Sequence, residues 1–411
     1  MKPTKSNDNL LDVDLLVGRE RRQLVNQSPR SHHRKRLLLI GMFALVLIFL
    51  AAAMTHLILS SSHRHLNVLL EESSKKWPCS DGKKPSEDDL LSGAFWSCSF
   101  VHKNLDSPKD RIPKSSKDKN ALRVAYVSDQ GMSNGTNLVM QQIAAFKPDL
   151  VIQNGDFDYQ DDPKGWMKMI DSHLPVSVPF LAVIGNHDVK EYQEYQRRLV
   201  KRLKKGGFLD SCFGAIGIVY FCNIYGMLVT FSHAGTIGSG FDDLQESLME
   251  SYMDLVKSEP AAIKWRVCSF HKVMHDYQAG KKPDESGYEI YETCRKFGAM
   301  IVNGHEHSYS RTRNMLDYPG HVFDESGDPD QMQLRPGINF AVITGMGGFG
   351  RNPATEEARS NKWWAKIVAP DYEENVLDGA LYCVYEGKTE ASCEWKDTSG
   401  KVWDSFHIYN Q

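Results

Sequence analysis

The sequence of 411 residues has no internal repeat, no low-complexity tract and almost no net charge. Its 49 Lys and Arg stand against 52 Asp and Glu, a balance of −3. With no basic footprint to displace counterions, a generic nucleic-acid binder is excluded, and no nucleic-acid partner is expected. Apolar content of 41% and charged content of 25% exclude a disordered or fibrous chain. Cysteine is sparse. The eight present suit an oxidising lumen.

Charge is also missing locally. Leu37–Ser60 is a run of 24 residues without a charged side chain, longer than the roughly 20 needed to cross a bilayer as a helix. A cleaved signal peptide is the competing reading, with Ala51 and Ala53 as a small-residue cleavage site. Such peptides have shorter apolar cores and shorter leaders than the 36 residues found here. Arg34, Lys35 and Arg36 precede the run, and His63, Arg64 and His65 follow it with fewer firm charges. The positive-inside bias then predicts a single-pass type II membrane protein. Residues 1–36 form a cytosolic tail, 37–60 the signal anchor, 61–120 a lumenal or extracellular stem, and 121–411 one globular domain. Asp12-Val-Asp14-Leu15-Leu16 in the tail resembles an acidic dileucine sorting signal and points to an endosomal, lysosomal or vacuolar membrane. Trp77, Phe95, Trp96 and Phe100 suggest that the middle of the stem docks on the domain.

From Ala121 onward, short apolar or β-branched runs each end in a polar cluster, with helix-like stretches between several of them. Val124–Val127 precedes Ser128-Asp129-Gln130-Gly131, and Leu150–Ile152 precedes Gly155-Asp156. Phe180–Ile184 precedes Gly185-Asn186-His187-Asp188. Arg266–Ser269 leads to His271, and Ala299–Val302 to Gly304-His305-Glu306-His307. Helical periodicity is clearest in Asp242–Lys257 and Tyr288–Phe297. The alternation predicts an α/β domain, and ligands of such domains collect at the carboxyl ends of strands. Later runs (Asn339–Ile343, Ala380–Tyr385, Ser392–Lys396 and Ser405–Tyr409) alternate more and predict an antiparallel or mixed sheet beside the first. Cys212 with Cys222 and Cys383 with Cys393 bracket hairpins that disulfides would close; Cys79 and Cys98 would close a loop in the stem. Cys268 and Cys294 fall in core-like segments and are expected as buried free thiols.

The clusters supply Asp129, Asp156, Tyr159, Asn186, His187, His271, His305 and His307. Singly, such residues are usually helix caps or core histidines. Together they form an oxygen and nitrogen donor set suited to two hard or borderline cations without thiolate, one carboxylate bridging ions roughly 3.5–4 Å apart.

In order and spacing, Asp129-x-Gly131, Gly155-Asp156-x-x-Tyr159, Gly185-Asn186-His187-Asp188, the strand ending in His271, and Gly304-His305-x-His307 resemble the calcineurin-like metallophosphoesterases. The Asp-x-Gly opening and Tyr159 resemble the purple acid phosphatase branch, over roughly Val124–Thr312. The resemblance implies a four-layer α/β/β/α sandwich with two mixed sheets. It implies one metal held by Asp129, Asp156, Tyr159 and His307, and another by Asp156, Asn186, His271 and His305. The first would be Fe(III), the second a divalent Fe, Zn or Mn. A metal-bound hydroxide would attack phosphorus, with His187 stabilising the phosphoryl group or protonating the leaving oxygen and Asp188 orienting that imidazole. The implied activity is acid phosphatase-like hydrolysis of phosphomonoesters, in small molecules or phosphoproteins. The alternatives are a phosphodiesterase or polyphosphate hydrolase on the same site, or a non-catalytic lumenal binding protein.

The chain departs from the pattern in places. Asp188 replaces the usual Glu, and the strand before His271 is one residue longer, which makes His275 a competing ligand. The paired histidines of the family's substrate loop are not evident in Asp276–Gly287, and no N-terminal β-sandwich is expected. His233 is read as sheet-edge filling. Gly345–Arg351 reads either as a phosphate-facing loop or as a plain turn, and Arg311 as a contact to substrate or to a carboxylate. Asp158, Asp161 and Asp162 are expected to be solvated loop acids. Asn134-Gly-Thr136 is a glycosylation sequon close to Asp129.

Overall fold

The computed structural model describes residues 121–411, apart from 238–244, 246–248, 251–252, 254–262 and 372. The membrane span, dileucine motif, stem aromatics, Cys79 and Cys98 lie outside the described residues, as does most of the helix expected over Asp242–Lys257. Among the described residues no helix is long and apolar enough to cross a membrane.

The domain opens with β1 (Ala121–Val127), α1 (Asn134–Phe146), β2 (Leu150–Gln153), α2 (Pro163–His173), β3 (Phe180–Ala182) and α3 (Tyr192–Gly206). Antiparallel β4 (Cys212–Ala215), β5 (Val219–Ile224) and β6 (Met227–Ser232) follow, then β7 (Trp265–Phe270), α4 (Tyr288–Lys296) and β8 (Met300–Asn303). Next come β9 (Tyr309–Thr312), a small pair β10 (Met315–Asp317) and β11 (Val322–Phe323), and β12 (Gln331–Leu334). After β13 (Ala341–Thr344), α5 (Glu356–Ser360) and β14 (Trp364–Val368), the chain ends in a meander of β15 (Gly379–Glu386), β16 (Glu390–Asp397) and β17 (Val402–Asn410).

Local chemistry accounts for the first helices. Ser133 caps α1 in a reciprocal box with Thr136, and Val139, Met140 and Ile143 form the buried face. Asp162 caps α2 with Pro163 in its first turn, where a missing N–H costs nothing. Helix α3 buries Tyr192, Tyr195, Leu199 and Leu203, one side of a 3.6-residue period, and stops at Gly207 with φ of 80°.

One sheet has the order β12-β17-β16-β15-β1-β2-β3, the other β14-β9-β13-β8-β7-β6-β5-β4. Both are mixed. Strands β1, β2 and β3 are parallel, and β15 joins β1 antiparallel. In the second sheet β6, β7, β8 and β13 are parallel, with β9 antiparallel to β13. The sheets face each other across the main core, where the Tyr126 hydroxyl of β1 meets that of Tyr385 at 2.6 Å and lies 4.0 Å from the Met227 sulfur of β6. A second core, including Phe270, Ile290 and Tyr291, lies between the other sheet and α4.

The late strands do not build a sheet beside the first. The meander β15–β17 extends the first sheet through β1, and β13 enters the second parallel to β8. Alternation along a strand reports which faces are buried, and carries no information about which edge it joins. The hairpin disulfides Cys212–Cys222 and Cys383–Cys393 are present, each between directly opposed residues. Cys268 and Cys294 are not free thiols: they form a disulfide joining β7 to α4, with Cα atoms 6.2 Å apart. Their separation of 26 residues carries no hairpin signal, and the β7–α4–β8 crossover brings them together.

Candidate metal centre

Five loops carry the polar clusters to one place. Three leave the carboxyl ends of β1, β2 and β3, and two leave β7 and β8, so the site straddles both sheets. Nine non-glycine residues among those described have positive φ, and four belong to the site: Asp129 at 55°, Asp156 at 54°, Tyr159 at 57° and His305 at 68°. Strained backbone of this kind persists where surrounding contacts over-determine it, and it clusters at functional sites. The contacts here are visible. Asp129 N–H donates to the Gly155 carbonyl, Gln130 N–H to that of Asp156, and His305 N–H to the Asp129 carboxylate at 2.9 Å. Two glycines make the close approach possible: a Cβ on Gly155 would strike the His271 ring, and one on Gly185 would strike the Asp156 carboxylate.

Two groups of donors result. In the first, the Tyr159 hydroxyl lies 3.0 Å from Asp129 Oδ1 and 3.0 Å from His307 Nε2, which is itself 3.4 Å from Asp129 Oδ1. In the second, His271 Nε2 lies 3.3 Å from Asp156 Oδ1 and 3.2 Å from Asn186 Oδ1. Donor atoms of Asp156, His271 and His305, all buried, lie within 4.8 Å of one another. Asp156 also acts on Tyr159 by charge and hydrogen bonding, so this carboxylate adjoins both groups.

The donor chemistry fits cations. His271 Nδ1 donates to the Asn154 carbonyl at 2.8 Å, which directs Nε2 at the carboxylate and amide oxygens. Burial alone would lower the His271 pKa, but Asp156 raises it to about 9, a proton standing where a cation would compete. His305 Nδ1 is buried without a hydrogen-bond partner in the protein, a ring nitrogen left uncommitted beside Asp156 and His271. Its Nε2 lies 2.9 Å from Glu285 Oε2 and 3.2 Å from Lys272 Nζ, and Lys272 donates to Glu285 Oε1 at 2.7 Å. Burial, then the positive charges of His271, Lys272 and Lys282, hold His305 well below the ordinary range, which keeps it a neutral ligand. Burial and the Asp129 and Asp156 carboxylates push the Tyr159 phenol far upward, so only a strongly Lewis-acidic partner would ionise it.

All seven expected ligands, Asp129, Asp156, Tyr159, Asn186, His271, His305 and His307, are thus brought together. His187 is exposed on the rim, its ring 4.5 Å from that of Tyr159 and its N–H donating to Asp156 Oδ1 at 3.0 Å. Asp188 has a different task from the one expected. Its buried carboxylate accepts the amides of Gly185 at 2.7 Å and Phe157 at 2.9 Å, so it clamps two ligand loops together. Burial and the neighbouring Asp156 push its carboxyl well above the ordinary range. His275 stands apart, half-buried, with Nδ1 on the Lys282 carbonyl at 2.8 Å.

Other expectations change. Asp158 is not solvated: its buried carboxylate accepts Gln160 N–H, Asp162 N–H and the Tyr195 hydroxyl, shaping the loop that presents Tyr159. Asp161 pairs with Lys190 at 2.6 Å, and Asp162 caps α2. Amides of Gly345, Gly347 and Phe349 are spent on the carbonyls of Ser308, Ser128 and Asp129, so they do not face a phosphate. Arg311 binds carboxylates, bidentate to Asp404 and singly to Asp330. His233 is buried just past β6. In the sequon, Asn134 is exposed while the Thr136 hydroxyl is committed to the α1 cap. Sequence reasoning missed Asn154, Lys272, Glu285 and Phe349. Asn154 and Lys272 stand next to motif residues, whereas Glu285 and Phe349 carry no spacing signal.

This fold and this site define a metallophosphoesterase domain. Residues 122–309 match the family model for the calcineurin-like phosphoesterases. Among curated proteins, purple acid phosphatase 15 of Arabidopsis thaliana is 23% identical, over 73% of this chain and 64% of its own. Purple acid phosphatase 23 of the same plant is 22% identical, over 56% of this chain and 57% of its own. A purple acid phosphatase from yellow lupin (Lupinus luteus) seeds has the same fold, with a TM-score of 0.54 at 18% identity over 73% of this chain and 55% of that one. The chain spans less than two thirds of the length of each of these relatives.

Proposed function

We propose that the chain is a binuclear metal-dependent phosphatase that hydrolyses phosphomonoesters. The observation that carries this reading is the pair of donor groups sharing Asp156, one containing Tyr159 and the other His271 and the unpartnered Nδ1 of His305. Asp129, Asp156, Tyr159 and His307 would hold one cation, and Asp156, Asn186, His271 and His305 the other. When bound, the ions supply Lewis acidity toward phosphate oxygens and acidify a water. The chain's own part is to place the ester: exposed His187, beside Tyr159, is within the rim from which a proton reaches the leaving oxygen. Tyr159 favours Fe(III) at the first position, because a buried phenol between carboxylates loses its proton only to a strong Lewis acid. The second position suits divalent Fe, Zn or Mn. The exposure of His187 also leaves room for a diester, so a phosphodiesterase is the second reading.

The test joins metal analysis of the purified full chain with a phosphate-release screen of mono- and diesters across pH. The oxidised protein should show a visible ligand-to-metal charge-transfer band that Tyr159→Phe abolishes, since a phenyl ring has no oxygen to donate. A colourless, fully active protein holding only Zn or Mn would refute the iron assignment and leave a two-divalent phosphoesterase.

We also propose a type II anchor through residues 37–60, supported by Arg34–Arg36 before the uncharged run, with the domain lumenal or extracellular. Protease outside sealed vesicles should remove the tail and spare the domain; digestion of the domain would refute this orientation.

A further inference from the structure

Among the described residues only five large apolar side chains are substantially exposed: Leu138, Val322, Phe349, Leu377 and Val402. Phe349 is the most exposed of them, at 50%, and its ring contacts run into the metal centre. It stacks on Tyr159 with ring centroids 3.4 Å apart and planes 3° from parallel, and it meets the His307 ring edge-on at 5.8 Å. The ring is also held in place. Phe349 N–H donates to the Asp129 carbonyl at 3.1 Å, Gly347 N–H to that of Ser128 at 2.9 Å, and a Cβ on Gly131 would lie 3.1 Å from the phenyl ring. One side of this ring therefore covers a ligand, while half of the residue's surface faces solvent at the mouth of the site. On the same loop, Arg351 is engaged by the Val376 carbonyl at 2.9 Å and lies 3.7 Å from Asp378. The exposed part of the residue is apolar.

We propose that Phe349 is a stacking wall for the leaving group, and that the site selects phosphoesters of planar aromatic alcohols. This rests on the phosphatase reading above. An ester whose phosphate lies between the donor groups must project its alcohol past the rim formed by His187, Tyr159 and Phe349. A planar ring there gains offset stacking on a wall whose conformation is already fixed, and removes exposed aromatic surface from water. A polar alcohol such as glycerol gains neither.

The experiment measures kcat/KM of the metal-loaded full chain for phenyl phosphate, cyclohexyl phosphate and glycerol phosphate, in wild type and in Phe349→Ala, Phe349→Leu and Phe349→Trp. Comparing each ester with itself across variants cancels intrinsic leaving-group reactivity. Phe349→Ala and Phe349→Leu should lower the phenyl value roughly three- to tenfold more than the glycerol value. Phe349→Trp should retain the phenyl preference, and metal content should be unchanged throughout. An equal fall for all three esters, or a phenyl value unaffected by Ala and Leu, would overturn the proposal and leave Phe349 as a cover for Tyr159. A cyclohexyl value falling as far as phenyl would overturn the aromatic selectivity. Release of no phosphate from any ester by the wild-type metal-loaded chain would instead remove the phosphatase reading, and this inference with it.

Discussion

Asp156→Asn is expected to leave the protein folded while cation occupancy falls at both positions and phosphoester hydrolysis drops more than about 100-fold, beyond what losing an outer-sphere partner alone produces. The Asp156 carboxylate adjoins His271 on one side and Tyr159 on the other. Two cations held close together need an anion between them, and an amide is neutral. Asn also tolerates the left-handed backbone at this position, where φ is 54°, so the substitution separates loss of charge from loss of shape. Asp156→Ala should fail in the same way with some added strain. Metal analysis, circular dichroism and phosphate release on the same preparations check the result. Retention of two cations per chain with near-normal turnover would show that Asp156 is not the shared ligand.

The largest stability effect is expected at a residue outside the donor set. Asp404→Ala should destabilise the domain by about 3–5 kcal/mol, because it leaves a buried guanidinium without its main partner. Arg311 is fully buried on β9 and reaches β17 in the opposite sheet, where Nε and Nη2 meet the two Asp404 oxygens at 2.7 and 2.9 Å. The Tyr309 hydroxyl donates to the same carboxylate at 2.6 Å, and the guanidinium lies 4.3 Å over the Phe406 ring. Strand β9 begins two residues after His307, so the tie between sheets also steadies a ligand loop. The double variant Arg311→Met with Asp404→Leu should be markedly more stable than Asp404→Ala, since removing both charges removes the desolvation penalty. Denaturant unfolding measures both, and a cost below about 1 kcal/mol for Asp404→Ala would show that the pair is dispensable.

The donor set was legible in the sequence because its residue types are chemically restricted and each sits just past an apolar run. Strand, turn and ligand follow one another within a few residues at Val127-Ser128-Asp129 and at Asn303-Gly304-His305, so local patterning is enough to name them. The hairpin disulfides were legible for the same reason, since cysteines ten residues apart across a turn face each other. Tertiary structure decided the rest. Whether Asp188 orients His187 or clamps loops depends on which amides lie beside it, and those belong to Phe157 and Gly185. Cys268 meets Cys294 only once α4 packs on its sheet, and β15 finds β1 only when the chain returns after some 250 residues. Phe349 becomes part of the site through its stacking on Tyr159, its edge-on contact with His307 and its amide on the Asp129 carbonyl. A sequence specifies chemistry and local periodicity directly; contacts between distant segments are set by the packing of whole faces, to which no single residue's spacing corresponds.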